Sequence, residues 1–171
     1  RTLNPQVLGS SPSGGTFYMN KIKKVVIAAA GEGTRMRPLT HETAKPLVEV
    51  NGKPFLYFVL QNLKKAGIEE IIIVTGHKKE KVEEFAKEYA SEFNIKLVDQ
   101  FEKCGKERYG TSLCIECVED LIANEQFICV YGDHMHDSED IKNLMVDDNY
   151  TYMGLMKVDN PEKYGVAVMD E

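Results

Sequence analysis

No stretch of this sequence is apolar for long enough to cross a bilayer. Its apolar runs, such as residues 25–30, fall far short of the ~20 residues that a spanning helix needs, so no membrane contact is expected. No secretory leader is recognisable either, because the first apolar run follows a Gly/Ser/Pro-rich stretch and reads as a strand. Basic charge is not in excess: the net charge is -6, which leaves no footprint for nucleic acid. Cysteine is scarce. Of the four, Cys114 and Cys117 form a C-x-x-C, but no second pair at similar spacing completes a zinc site. The four are read as free thiols, which suits a reducing cytoplasm. No internal repeat is present.

What remains is an ordinary globular composition, 43% apolar and 28% charged over 171 residues, enough for one domain with a sizeable core and too little for two. Residues 1–18 stand apart. They are rich in Ser, Pro and Gly and carry no apolar period, so a disordered or non-native tail is expected. Codons open to Gly9-Ser10-Ser11-Pro12 can spell GGTTCGAGTCC, which resembles the T-arm of a transfer-RNA gene read in frame. Met19 is the expected true start, and residues 19–171 the expected domain. Residues 166–171 stop inside what reads as a strand or hairpin, so the domain is expected to be incomplete at that end.

Apolar patterning predicts alternating strands and helices. Residues 22–30, 70–75 and 127–131 read as strands buried on both faces. Residues 47–50, 95–98 and 152–158 read as further strands, the first closed by an Asn51-Gly52 turn. Helices are predicted from Pro54 to Gly67, over 77–90 and over 111–122, and from a Ser138 cap to about Val146. Residues 103–108 read as a loop. The alternation predicts an α/β fold, a three-layer α/β/α sandwich with a mostly parallel sheet.

The chemistry concentrates after the first strand, in Ala28-Ala29-Ala30-Gly31-Glu32-Gly33-Thr34-Arg35-Met36-Arg37-Pro38-Leu39-Thr40. Open α/β sheets bind ligands at this end of a strand, and glycines there let backbone amides approach phosphate oxygens. A dinucleotide fingerprint fails, since Met36 stands where its third glycine belongs. A Walker A loop fails for want of its lysine. A tight turn with incidental arginines would also suit the loop alone. Arg35 and Lys45 favour a polyphosphate, because nucleotidyl transfer needs positive groups around the triphosphate and the departing pyrophosphate. A guanidinium fork suits the β- and γ-phosphates, and a compact ammonium the α-phosphate.

Residues 29–46 follow, nearly position by position, the run A-A-G-x-G-T-R-(M/L)-x-P-x-T and then K-P. In this the sequence resembles the sugar-1-phosphate nucleotidyltransferases, over about residues 24–171. The resemblance implies a Rossmann-like fold and a reaction in which a sugar-1-phosphate attacks the α-phosphorus of a nucleoside triphosphate. It implies Arg35 and Lys45 as catalytic residues, on pyrophosphate and α-phosphate. It implies Ala29, Ala30, Gly31, Gly33 and Thr34 as nucleotide-binding positions. Tyr109-Gly110-Thr111-Ser112-Leu113 resembles the family's base-binding segment and adds Gly110 and Thr111. Gln100 is the candidate for the preceding glutamine, at a longer spacing than usual. Tyr131-Gly132-Asp133 resembles the family's Y/N-G-D, making Asp133 the expected Mg²⁺ ligand and Tyr131 a sugar contact. Tyr164-Gly165-Val166 resembles its Y-G-V, with Gly165 at the sugar.

The expected protein is thus a cytoplasmic, Mg²⁺-dependent enzyme making an NDP-sugar, with UTP or dTTP favoured; a homo-oligomer is compatible with this reading. A phosphocholine cytidylyltransferase-like enzyme is a near alternative. A non-catalytic regulatory homologue is another, disfavoured because Arg35, Lys45 and Asp133 are all present. A glycosyltransferase would want a D-x-D, which Gly132-Asp133-His134 does not supply. His134 and His136 beside Asp133 could suggest a transition-metal site, but lining a pocket or facing water is the preferred reading.

Overall fold

The computed structural model describes residues 22–108, 110–123 and 125–167. The tail expected over 1–18 and the last four residues lie outside them. The central sheet has four parallel strands: β1 (Lys24–Ala28), β4 (Glu70–Thr75), β5 (Ile95–Asp99) and β6 (Phe127–Tyr131), in the order β5-β4-β1-β6. Two short antiparallel strands, β2 (Glu49–Val50) and β3 (Lys53–Pro54), form a separate ribbon.

β1 and β4 are continuous apolar runs because both of their faces are covered. On one face Val25, Ile27, Ile71 and Ile73 pack with Leu56, Leu60 and Leu63 of α1 (Phe55–Ala66), Val82 and Phe85 of α2 (Lys79–Glu88), and Ile141 of α6 (Ser138–Leu144). On the other, Val26, Ile72, Val74 and Val98 meet Cys114 of α4 (Leu113–Glu116), Cys117, Val118, and Ile122 of α5 (Glu119–Ile122). The period-2 alternation of the strands therefore separates two cores, one per face. This is the expected three-layer fold. α1 ends where predicted: Gly67 takes φ 100° and the Ile68 N–H returns to Leu63 O at 3.1 Å, a Schellman closure that glycine permits.

Several elements differ from the sequence reading. The helix expected over 111–122 is two short ones, because Val118 leaves helical backbone (φ -115°, ψ 11°). A five-residue helix, α3 (Gln100–Cys104), occupies a place read partly as loop; it starts because Asp99 accepts hydrogen bonds from the Phe101 and Glu102 amides. The α6 cap is Asp137 rather than Ser138. Residues 47–50 give a 3₁₀ turn, Lys45–Leu47, and then the two-residue β2. The strand expected over 152–158 is not formed, and three of its apolar side chains are exposed, Met153 at 72%, Leu155 at 53% and Met156 at 63%. A strand needs a neighbour to take its backbone hydrogen bonds, and none pairs with this segment among the described residues. No described helix is long and apolar enough to cross a membrane.

Candidate active site

Strand order places the site. From β1 the chain crosses to β4 on one side, and β6 returns to the other, so a crevice opens between β1 and β6 at their carboxyl ends. A cleft of about 530 Å³ occupies it.

The loop after β1 forms the near wall. Its first limb is fixed by backbone bonds: Ala29 N–H to Val74 O at 2.9 Å, Gly132 N–H to Ala28 O at 3.0 Å, and His77 N–H to Ala30 O at 3.3 Å. It then turns at Gly33, in left-handed backbone with φ 71°. A Cβ on Gly33 would sit 3.1 Å from Lys45 Cβ and 3.2 Å from Thr40 Cγ2, so glycine is demanded by conformation and by space. The turn Thr34–Met36 carries Arg35 at the cleft. The two nearby arginines differ. Arg37 donates to Glu32 Oε1 at 2.5 Å, whereas Arg35 is exposed and makes no ion pair or hydrogen bond with another described residue. Arg35 is therefore the guanidinium free to receive an anion.

Lys45 and Asp133 meet inside the cleft. Lys45 opens a 3₁₀ turn whose Pro46 is buried. Gly132 sits against it, where a Cβ would lie 3.3 Å from Pro46 Cβ and 3.4 Å from Ala28 O. This close approach lets Lys45 Nζ donate to Asp133 Oδ2. Burial pushes the Asp133 carboxyl up, but the Lys45 hydrogen bond and charge outweigh it and hold the group below the ordinary carboxylate value. His134 Nε2 lies 3.9 Å from Asp133 Oδ1 and is 57% exposed; it faces outward and does not line the cleft. Among the described residues no group of three or more His, Cys, Asp or Glu could cage a metal ion.

The far wall is α3 and the start of α4. Asp99 Oδ1 accepts from the Phe101 amide at 2.8 Å, and Lys79 Nζ donates to Asp99 Oδ2 at 2.6 Å. The cap points Gln100 and Phe101 into the cleft. Gln100 is only 9% exposed, and its amide has no hydrogen bond to another described residue, so it is available to a ligand. Gly110 and Thr111 line the same cleft. The Cys114 thiol donates to Thr111 O at 2.9 Å. Its contact with Cys129 and its burial both push it up, which favours the neutral thiol at this position. Behind it Cys117, pushed up to about 12 by burial and by its contact with Cys104, packs 2.6 Å from the Cys104 sulfur. All four cysteines are free.

The cleft therefore gathers Ala29, Ala30, Gly31, Gly33, Thr34, Arg35, Lys45, Gln100, Gly110, Thr111, Tyr131 and Asp133. Gly165 is not among its lining residues; it lies in an exposed segment with nothing within 4 Å of where its Cβ would be. The structure adds His77, Phe101 and Cys114 to the lining. His77 and Phe101 make an edge-to-face ring contact at 5.0 Å. Their positions just past β4 and β5 could have marked them, since that is where a parallel sheet presents its ligands. A second groove of about 520 Å³, around Phe55, Phe58 and Met135, holds none of the candidate residues.

A parallel sheet whose carboxyl edge carries a glycine loop, the exposed Arg35 guanidinium and an ammonium–carboxylate pair defines an α/β protein of the open-sheet class, with its cleft at the switch in strand order. More particularly, the family model for nucleotidyl transferases matches residues 24–171, and the chain belongs to that family. It is 31% identical over 149 residues to the D-glycero-alpha-D-manno-heptose 1-phosphate guanylyltransferase of Campylobacter jejuni, covering 86% of this chain and 64% of that protein. It is 30% identical over 174 residues to a UTP–glucose-1-phosphate uridylyltransferase of Staphylococcus epidermidis, covering 89% and 60%. A UDP-glucose pyrophosphorylase solved with UDP-glucose superposes with a TM-score of 0.58 at 29% identity, covering 72% of this chain and 52% of that one. The chain thus spans about half to two thirds of the length of these relatives.

Proposed function

We propose that the protein transfers a nucleotidyl group from a nucleoside triphosphate to a sugar-1-phosphate, releasing pyrophosphate. The observation that carries this reading is the Lys45–Asp133 pair facing the cleft that Arg35 also lines. A phosphate oxygen of the sugar-1-phosphate attacks the α-phosphorus, the bond to the bridging oxygen breaks, and the β- and γ-phosphates leave as pyrophosphate. Lys45 passes from Asp133 to the α-phosphate, where negative charge grows in the transition state, and Arg35 takes the departing pyrophosphate. Backbone of residues 29–34 lies along the triphosphate and ribose. Gln100, Gly110 and Thr111 face the base, and Tyr131 is assigned to the sugar; Gly165, which does not line the cleft, is assigned there by the sequence resemblance alone.

A divalent cation suits this donor set if it is Mg²⁺. One ionised carboxylate, Asp133, falls short of an all-protein cage but suffices for an ion that takes most of its ligands from phosphate and water. When bound it would neutralise phosphate charge. The relatives' names favour a hexose- or heptose-1-phosphate as acceptor. UTP or dTTP is our preferred donor, residues 19–171 the catalytic domain, and the cytoplasm the compartment. The test is pyrophosphate release by the full-length protein over five nucleoside triphosphates and a panel of sugar-1-phosphates with Mg²⁺. Release with a UTP or dTTP pair is expected; no release with any pair would overturn the proposal.

A further inference from the structure

The main-chain bonds within the loop of residues 31–40 are local: Met36 N–H to Gly33 O at 3.0 Å, Arg37 N–H to Thr34 O at 3.3 Å and Leu39 N–H to Met36 O at 3.0 Å. The loop's amides must nevertheless be held in place before a nucleotide arrives, because ordering them on binding would cost affinity. The turn after β4 supplies the hold, and it does so at both ends of the loop. At the near end, Gly76 is pressed so closely on Ala30 that a Cβ would lie 2.9 Å from both Ala30 Cβ and Ala30 O, and the His77 N–H bonds Ala30 O at 3.3 Å. At the far end the next residue, Lys78, donates from Nζ to Thr40 O at 2.6 Å and to His41 O. Thr40 is 2% exposed, and its hydroxyl donates to Gly33 O at 2.8 Å. A chain of bonds thus runs from Lys78 through Thr40 to the glycine at which the loop turns.

Two details set Lys78 apart from an ordinary surface lysine. It sits in left-handed backbone, φ 56°, a conformation costly for a residue with a side chain. Its ammonium bonds two main-chain carbonyls rather than a carboxylate. Hydrogen bonds from a charged donor are the stronger kind. Lys78 does not line the cleft.

We propose that Lys78 is a positioning residue of the nucleotide site, clamping the return limb of the loop through Thr40 so that Gly33, Thr34 and Arg35 are pre-set. The proposal rests on reading this loop as the triphosphate cradle. Its test compares the wild-type chain with Lys78→Met, which keeps the stem and loses the ammonium, and with Lys78→Arg. Amide hydrogen exchange is followed without nucleotide, and UTP·Mg²⁺ binding is then titrated. In Lys78→Met the amides of residues 33–41 should exchange about tenfold faster or more while β1 and β4 stay protected, and UTP affinity should fall about tenfold, the scale of one lost charged hydrogen bond. Lys78→Arg should restore most of both. Unchanged loop exchange in Lys78→Met overturns the clamp, even if affinity falls, for that pattern marks direct contact with phosphate. Loss of protection across the whole sheet also overturns it, as the mark of a general stability role. Should Lys78→Met fail to fold, Thr40→Val, which removes only the hydroxyl link, must loosen the same residues or the proposal fails. Wild type that binds no nucleoside triphosphate would sink the functional reading, and the exchange data would still decide the clamp.

Discussion

Lys45 Nζ and Asp133 Oδ2, 88 positions apart in the chain, form an ion pair within the cleft between β1 and β6. Each group is satisfied by the other until a ligand arrives, and from this follows an opposite effect of two substitutions. Asp133→Asn releases Lys45 and removes a negative charge facing the phosphates. In EDTA this variant should bind UTP more tightly than wild type, and in Mg²⁺ it should lose the metal's enhancement. Lys45→Met should bind more weakly under both conditions, by about tenfold or more for a lost charged hydrogen bond. Calorimetric titration with and without Mg²⁺ separates them. Weaker binding by Asp133→Asn in EDTA would count against the exchange of partners.

Arg35 and Arg37 lie on the same loop and should behave oppositely. Arg35→Ala removes a side chain with no partner among the described residues, so the thermal midpoint should stay put while UTP binding weakens. If the proposed function holds, kcat should drop about 100-fold, the scale of a donor aimed at transition-state charge. Arg37→Ala removes an exposed ion pair with Glu32, and surface pairs of this kind contribute about 1 kcal/mol or less. It should leave kcat within about twofold and move the midpoint only slightly. Equal kinetic losses in the two variants would refute the distinction.

Gly31 and Gly76 give a third contrast. Nothing lies within 4 Å of a Cβ on Gly31, while one on Gly76 would meet Ala30 at 2.9 Å. Gly76→Ala should destabilise the chain by about 1–3 kcal/mol, the usual cost of overpacking against backbone. Gly31→Ala should leave stability alone and weaken nucleotide binding, because the new methyl faces the cleft. Urea unfolding and UTP titration of both variants check this.

Asp99 links acidity to the far wall of the cleft. Burial raises its carboxyl, but the Lys79 hydrogen bond and the Phe101 and Glu102 amides prevail, so its pKa lies below the ordinary 3.8. A carboxyl depressed on folding stabilises the fold fully above its unfolded value, and that contribution fades as pH falls toward the folded value. Asp99→Ala should therefore cost about 1 kcal/mol at neutral pH, as for a lost helix cap. The gap in thermal midpoint from wild type should narrow only below about pH 4, near the unfolded carboxyl pKa. A gap that narrows between pH 7 and 5 would point to another group.

The parts of the molecule that were legible in the sequence share a cause. β1 and β4 declare themselves because burial on both faces demands unbroken apolar runs, and α1 because Gly67 closes it; β6 was expected to be buried on both faces too, but at the edge of the sheet it leaves Cys129 and Tyr131 exposed. The cleft residues between Ala29 and Asp133 could be named because each follows a strand end or sits in a long motif. What stayed hidden depended on contacts distant in sequence. α3 is too short to show a period, and only the Asp99 cap could have hinted at it. Residues 152–158 carry a strand's composition, but composition does not supply a pairing partner. Lys78 looked like one more surface lysine, since nothing local tells which carbonyls it will find.

The strand order bears on how the molecule is made as well as on what it binds. β1 pairs with β4 in one direction and with β6 in the other, in register from Lys24↔Phe127 to Ala28↔Tyr131. The second pairing closes across most of the chain, and such closures are slow. Until it forms, Asp133 has no place beside Lys45. On the proposed function, the ability to hold a nucleotide should then arrive only with this pairing, and a nucleotide added during refolding should hold the finished sheet without hastening its assembly.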